Sequence, residues 1–156
     1  MGLRPETLRE KPPFDTPTGK EDRYMRRYSE TSPPPEAIYW RNYARGIAAG
    51  LTLDTAKKYA TLTWWGEHYG IKTPSIVSGR RSERQQAVMR ARWDRGDRAG
   101  LVARPAKDSK HTTGEAFDLT GGPELYRLGQ LAAHAGLLWG GNFTDPDPVH
   151  FQAAAG

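Results

Sequence analysis

The chain has 156 residues, room for one domain and a tail, and is not expected to be a multidomain enzyme carrying its own targeting module. Hydrophobic residues make up 37% and charged residues 26%, so a core can be buried, while the absence of cysteine removes disulfides, thiol nucleophiles and every cysteine-based metal site. With 23 Lys+Arg against 18 Asp+Glu the formal charge is +5, which favours an anionic partner and is compatible with nucleic acid, a membrane surface or an anionic cell wall.

Residues 1–37 hold seven of the twelve prolines and equal numbers of acidic and basic side chains. Such a segment cannot make a core, and it is predicted to be an extended arm ending at the stiff Pro33-Pro34-Pro35 run. Its opening, MGLRPETLREKPP, is polar and proline-broken, and predicts neither a secretory signal nor a transmembrane span. The domain is then expected over 38–156. Ile38, Tyr39, Tyr43, Ile47 and Leu51 recur near helical spacing and predict a short helix. A second helix is signalled by Asp54 as N-cap, apolar positions from Ala56 to Trp64, and Gly70 at the C-terminal end. Trp64 and Trp65 are expected in the core. SIVSG (75–79) reads as a strand. Ser82 and Gln85 form a capping box opening a helix through Val88, Met89 and Trp93. AFDLT (116–120) and PVHFQ (148–152) read as short strands, and between them Pro123 starts a helix, in its first turn, that Gly136 closes. Helices mixed with a few short strands, without βαβ alternation, predict an α+β fold.

The four histidines fall into two kinds. His68 and His134 occupy last turns of predicted helices, where an imidazole complements the negative end of the helix dipole. His111 and His150 differ. Alternation in AFDLT sends Phe117 and Leu119 to one face and Asp118 to the other; in PVHFQ, Val149 and Phe151 point inward and His150 points with Gln152 to the polar side. Pairing these strands would bring His150 near Asp118. His111 lies in a polar loop able to fold back over the same strand. Two imidazoles and one carboxylate with a fourth position open is a set that catalytic zinc uses, and it is also a set that arises by chance on polar faces. Asp147, in the turn Asp145-Pro146-Asp147-Pro148, is either a turn-capping aspartate or a base beside a metal.

Longer patterns are more specific. Residues 109–118 match S-x-H-x-x-G-x-A-x-D, and 147–151 match D-x-x-H-F. Together they resemble the zinc peptidases of the D-alanyl-D-alanine carboxypeptidase and L-alanyl-D-glutamate endopeptidase family, which cut the stem peptides of bacterial peptidoglycan. Ser78-Gly79-Arg80-Arg81-Ser82 with Gln86 resembles the family's S-G-Y-R-S-x-x-x-Q block, and 137–143 resemble its G-L-x-W-G-G-x-F segment. The resemblance implies zinc held by His111, Asp118 and His150, with Asp147 as general acid/base. It further implies Arg81 as the positive group facing substrate, and Gln86 and Ser109 as substrate-binding residues. The architecture expected with it is a small antiparallel sheet carrying the metal site, flanked by helices. Arg80 stands where the family has tyrosine, and Arg81, followed by Ser82, is the arginine that fits the block. Glu115, charged although alternation turns it toward the core, is expected to reach solvent at the sheet edge.

The resulting expectation is zinc-dependent hydrolysis of a peptidoglycan stem peptide, with the L-alanyl-D-glutamate endopeptidase reading, of phage endolysin type, ahead of the D-alanyl-D-alanine carboxypeptidase one. A non-catalytic wall-binding or structural component of a phage or secretion particle is the alternative class. A nucleic-acid binder has only the charge in its favour, since no nucleic-acid motif is present. Action at the cell wall would follow lysis or delivery by a carrier, such as a phage particle or secretion apparatus, through the arm. Residues 78–110 carry ten Lys/Arg against four Asp/Glu, so the basic excess gathers around the expected cleft, where it would attract an anionic wall peptide.

Overall fold

The computed structural model describes residues 36–101, 104–105 and 109–155. The proline-rich arm expected over 1–37 lies outside these, apart from Glu36 and Ala37, which open the first helix. Helices α1 (Glu36–Ala48) and α2 (Leu53–His68) pack as a hairpin. Gly46 permits the approach, since a Cβ there would meet Ala56 Cβ at 3.0 Å. Tyr39, Tyr59, Leu62 and Trp64 are buried between the helices and the sheet, and Asn42 Nδ2 donates to Thr63 Oγ1 across the hairpin at 2.9 Å. Trp64 and Trp65 are core residues, as expected, and His68 stacks on Trp64 in the same buried cluster. The N-cap of α2 is Thr52, whose hydroxyl accepts from Thr55 N at 3.1 Å; Asp54 sits inside the first turn and pairs with Lys58 at 2.9 Å. Both residues suit the positive end of the dipole, but only Thr52 has the extended backbone that turns its oxygen back onto the N–H groups.

Strands β1 (Ile76–Ser78), β2 (Ala116–Leu119), β3 (Leu137–Trp139) and β4 (His150–Ala153) form one antiparallel sheet in the order β1-β2-β4-β3. With four helices this is an α+β fold. The strand expected over 148–152 starts two residues later, because Pro148 and Val149 belong to the turn. Strand β3 has three residues, too few for alternation to announce it. Helix α3 (Glu83–Asp94) has the expected capping box: Ser82 Oγ accepts from Gln85 N at 3.0 Å and Gln85 Oε1 accepts from Ser82 N at 2.8 Å. Of its 12 residues only Gln86 is buried. Helix α4 (Glu124–Leu131) has Pro123 as its N-cap rather than in its first turn. It tightens to a 3-10 turn over Ala132–Ala135 that holds His134, before Gly136 turns the chain at φ 77°. Glu115 is part-exposed and accepts from Thr113 Oγ1 at 2.7 Å, but it lies at the end of β2, an inner strand, and not at a sheet edge. Among the described residues no helix is long and apolar enough to cross a membrane.

Gly129 of α4 lies against the indole of Trp139, and a Cβ there would overlap the ring. Gly129→Ala is expected to destabilise the fold by about 1–3 kcal/mol despite the better helix propensity of alanine. A lowered urea midpoint with an unchanged m-value would register it, and an unchanged midpoint would refute the packing argument.

Candidate metal centre

The sheet register brings the three expected ligands together. Asp118 on β2 stands opposite His150 on β4, and Ser78 on β1 stands on the other side of Asp118. His111 arrives from the loop before β2. That loop is tied down by Ser109 Oγ, which accepts from His111 N at 3.1 Å, and by Gly114, whose carbonyl accepts from Thr52 N at 3.0 Å. At φ 77° and with Gly50 O only 2.8 Å from where a Cβ would stand, position 114 admits glycine alone.

His111 Nε2 lies 3.2 Å from His150 Nδ1 and 3.3 Å from Asp118 Oδ1, and His150 Nδ1 lies 3.2 Å from the same oxygen. The outer nitrogen of each ring is already engaged: His111 Nδ1 donates to Gly79 O at 2.8 Å, and His150 Nε2 donates to Gln152 Oε1 at 2.9 Å. Those bonds fix the tautomers, because a carbonyl oxygen can only accept. The inner nitrogens then present lone pairs to one another and to a carboxylate oxygen, three electron donors aimed at one point. Such a triangle needs a cation or a proton at its centre. His111, Asp118 and His150 thus form a group that could hold a metal ion, their ligand atoms all within 4.8 Å of one another, with the outer hydrogen bonds that metal-binding imidazoles use.

With no metal bound, a proton takes that central place, and the imidazolium N–H it creates bonds Asp118. Burial acts to raise the Asp118 carboxyl, but the hydrogen bonds and charges of His111 and His150 outweigh it and hold the group well below the usual carboxylate range. Burial acts to lower His150, and its bonds to Asp118 and Gln152 outweigh that and raise it above the ordinary imidazole value. Asp147 moves the other way from Asp118. Burial, then the charge of Asp118, raise its carboxyl, and its Oδ1 is buried with no hydrogen-bond partner. The turn into β4 carries it, as expected: Asp147 N donates to Gly140 O at 2.8 Å, and His150 N donates to Asp147 O at 3.0 Å. A Cβ at Gly140 would collide with the Asp147 carbonyl.

Arg81 rather than Arg80 faces the site. Its Nη2 donates to Asp118 Oδ2 at 2.9 Å, Nη1 to Gln86 Oε1 at 3.2 Å and Nε to Ser78 Oγ at 3.0 Å, whereas Arg80 is exposed. Gln86 is buried with its amide oxygen on Arg81, and Ser109 is buried with its hydroxyl on the His111 backbone; both also line the cleft. The cleft has a volume of about 790 Å³ and contains every expected site residue, with Phe143 forming a wall whose ring centroid is 5.8 Å from that of His150. The Gly79 carbonyl and the Gln152 amide were not among the expected groups. A backbone carbonyl carries no side-chain signal, but the placement of Gln152 on the same polar face as His150 could have indicated the second. If the group takes up a divalent ion, Gln152→Leu is expected to weaken that binding about 10–100-fold by freeing the His150 ring, measurable with zinc by competition with a chromophoric chelator. Unchanged affinity would show that the ring is held by packing alone.

No protein-family model matches the chain, and no curated protein sequence matches it. Among solved structures the chain is similar to that of Serratia marcescens L-Ala D-Glu endopeptidase ChiX. The TM-score is 0.50 at 20% sequence identity, covering 76% of this chain and 87% of that one. At that identity the likeness is one of fold.

Proposed function

We propose that the protein is a zinc-dependent peptidase that hydrolyses a bond in the peptidoglycan stem peptide, the L-alanyl-D-glutamate bond ahead of the terminal D-alanyl-D-alanine bond. The observation that carries this reading is the convergence of three lone-pair donors beside Asp147, a half-buried carboxylate whose inner oxygen Oδ1 has no protein partner, in an open cleft. The fold shared with a protein described as an L-Ala D-Glu endopeptidase supports the choice of bond.

His111, Asp118 and His150 would hold the metal, through Nε2, Oδ1 and Nδ1 respectively. When bound, zinc supplies Lewis acidity, making water more acidic and polarising a carbonyl. Asp147 accepts the proton of the water attacking the peptide carbonyl and returns it to the leaving amine. Its place in the cleft wall, with Oδ1 free of protein partners, leaves the carboxylate open to both tasks. Arg81 uses three of its five N–H donors to hold Asp118, Gln86 and Ser78, leaving two to meet the developing oxyanion. Phe143 shields one side of the reacting centre from water. Delivery to the wall by a carrier through the amino-terminal arm belongs to the same proposal.

Digestion of purified sacculi, followed by identification of new amino termini by mass spectrometry, tests the reading. Release of D-glutamyl termini that chelation abolishes and zinc restores is the expected result. Release of free D-alanine would move the assignment to the carboxypeptidase bond, and no zinc-dependent release of either would overturn it.

A further inference from the structure

Beside the metal cleft, between β1 and α3, lies a separate pocket of about 480 Å³ lined by Ser78, Arg81, Arg84, Gln85, Val88 and Met89. Arg81 and Met89 line both spaces, so the two adjoin across these side chains. The pocket has two guanidinium groups and no carboxylate. Arg81 is largely committed to Asp118, but Arg84 is exposed and makes no ion pair among the described residues. Of the arginines on and after α3, Arg92 pairs with Asp97, Arg104 with Asp94, and Arg98 lies on the face of Trp93; Arg84 is the one that lines this pocket. Val88, one helical turn beyond Arg84 and therefore on the same face, is 53% exposed, an apolar side chain left uncovered at the floor of a basic pocket. A free cation next to bare aliphatic surface is the complement of a carboxylate carried on a short hydrocarbon stem.

We propose that this pocket is a second subsite that receives a free carboxylate of the peptide whose scissile bond lies in the metal cleft, with Arg84 as its anchor and Val88 and Met89 packing on the adjoining methylenes. The inference rests on the reading of the cleft as a peptidase site and deepens it: the substrate class becomes peptides with an unamidated acidic residue next to the cleaved bond. Arg84 here is a specificity-determining residue outside the reacting centre.

Two tripeptides test it, L-alanyl-γ-D-glutamyl-L-lysine and its α-carboxamide counterpart, used with the zinc-loaded full chain and, for calorimetry, with the metal-free full chain. Wild type is expected to favour the carboxylate peptide about tenfold in KM and in the calorimetric Kd. Arg84→Gln should erase that preference through KM and Kd, leaving kcat within about twofold. Val88→Glu should reverse it by placing a like charge in the pocket, the carboxamide peptide losing only the aliphatic packing that both peptides share. Retention of the preference in Arg84→Gln, or equal affinity of wild type for both peptides, overturns the subsite. Binding that shows the Arg84-dependent preference without cleavage of either peptide would leave the subsite standing and bring down the peptidase reading instead.

Discussion

Asp147→Asn is expected to lower turnover by about 10²–10⁴-fold while zinc content stays at the wild-type stoichiometry. The substitution keeps the shape of the side chain and removes only its ability to take a proton. Because Oδ1 of Asp147 has no partner in the protein, the amide breaks no internal hydrogen bond, and the thermal midpoint should hardly move. Wild-type activity should also carry a signature in pH. With no metal bound, burial and the charge of Asp118 raise this carboxyl, whereas a bound dication beside it acts in the opposite direction. The acid limb of kcat/KM that this carboxyl sets is therefore expected to vanish in the asparagine variant. Full hydrolysis by Asp147→Asn would remove this residue from the chemistry.

The second large effect is expected from Asp118→Ala, which acts on metal and fold together. On the proposed reading one ligand of three disappears, and bound zinc should no longer survive dialysis. The same change strands the Arg81 guanidinium, whose side chain is only 17% exposed, without its ion-pair partner. Stranding a mostly buried charge costs about 3 kcal/mol. The metal-free wild type should show how the cluster titrates. Asp118, held below its unfolded value, contributes stability above the ordinary carboxylate range and loses it as pH falls through its folded value. His150, raised, contributes below about 6.5 and loses its contribution as pH rises through its folded value. The metal-free cluster is thus most stabilising in mildly acidic solution, and a bound metal ion, which needs the deprotonated imidazole, would take over as pH rises. Chemical denaturation of metal-free protein across pH should show that maximum in wild type and a flattened curve in Asp118→Ala. Identical curves would mean that the triangle of His111, Asp118 and His150 is not coupled as its geometry requires.

Much of the site was legible because strand alternation is a strong signal when both faces are chemically distinct. Phe117 and Leu119 against Asp118, and Phe151 against His150, define which way each polar group points, and antiparallel pairing then puts Asp118 opposite His150. The tautomers were not legible. They depend on Gly79 O, a main-chain atom 32 residues from His111, and on the rotamer of Gln152. Thr52 lost to Asp54 as the expected cap because both residue types suit that place, and only the backbone dihedral decides between them. Strand β3 stayed hidden for a different reason: three residues have no period, and the pairing with β4 that makes it a strand is a long-range fact.

Helix α3 anchors only one of its 12 side chains in the body of the protein, and that one, Gln86, grips Arg81. Its outward positions, apart from Gln85 of the capping box and Met89 of the cleft wall, can be exchanged without touching the sheet that presents Asp118 and His150. If the pocket beside α3 reads the peptide as proposed, recognition and chemistry are mutationally separable in this fold. A library randomised on the outward turns of α3 would explore new peptide preferences while every clone inherits the same reacting centre.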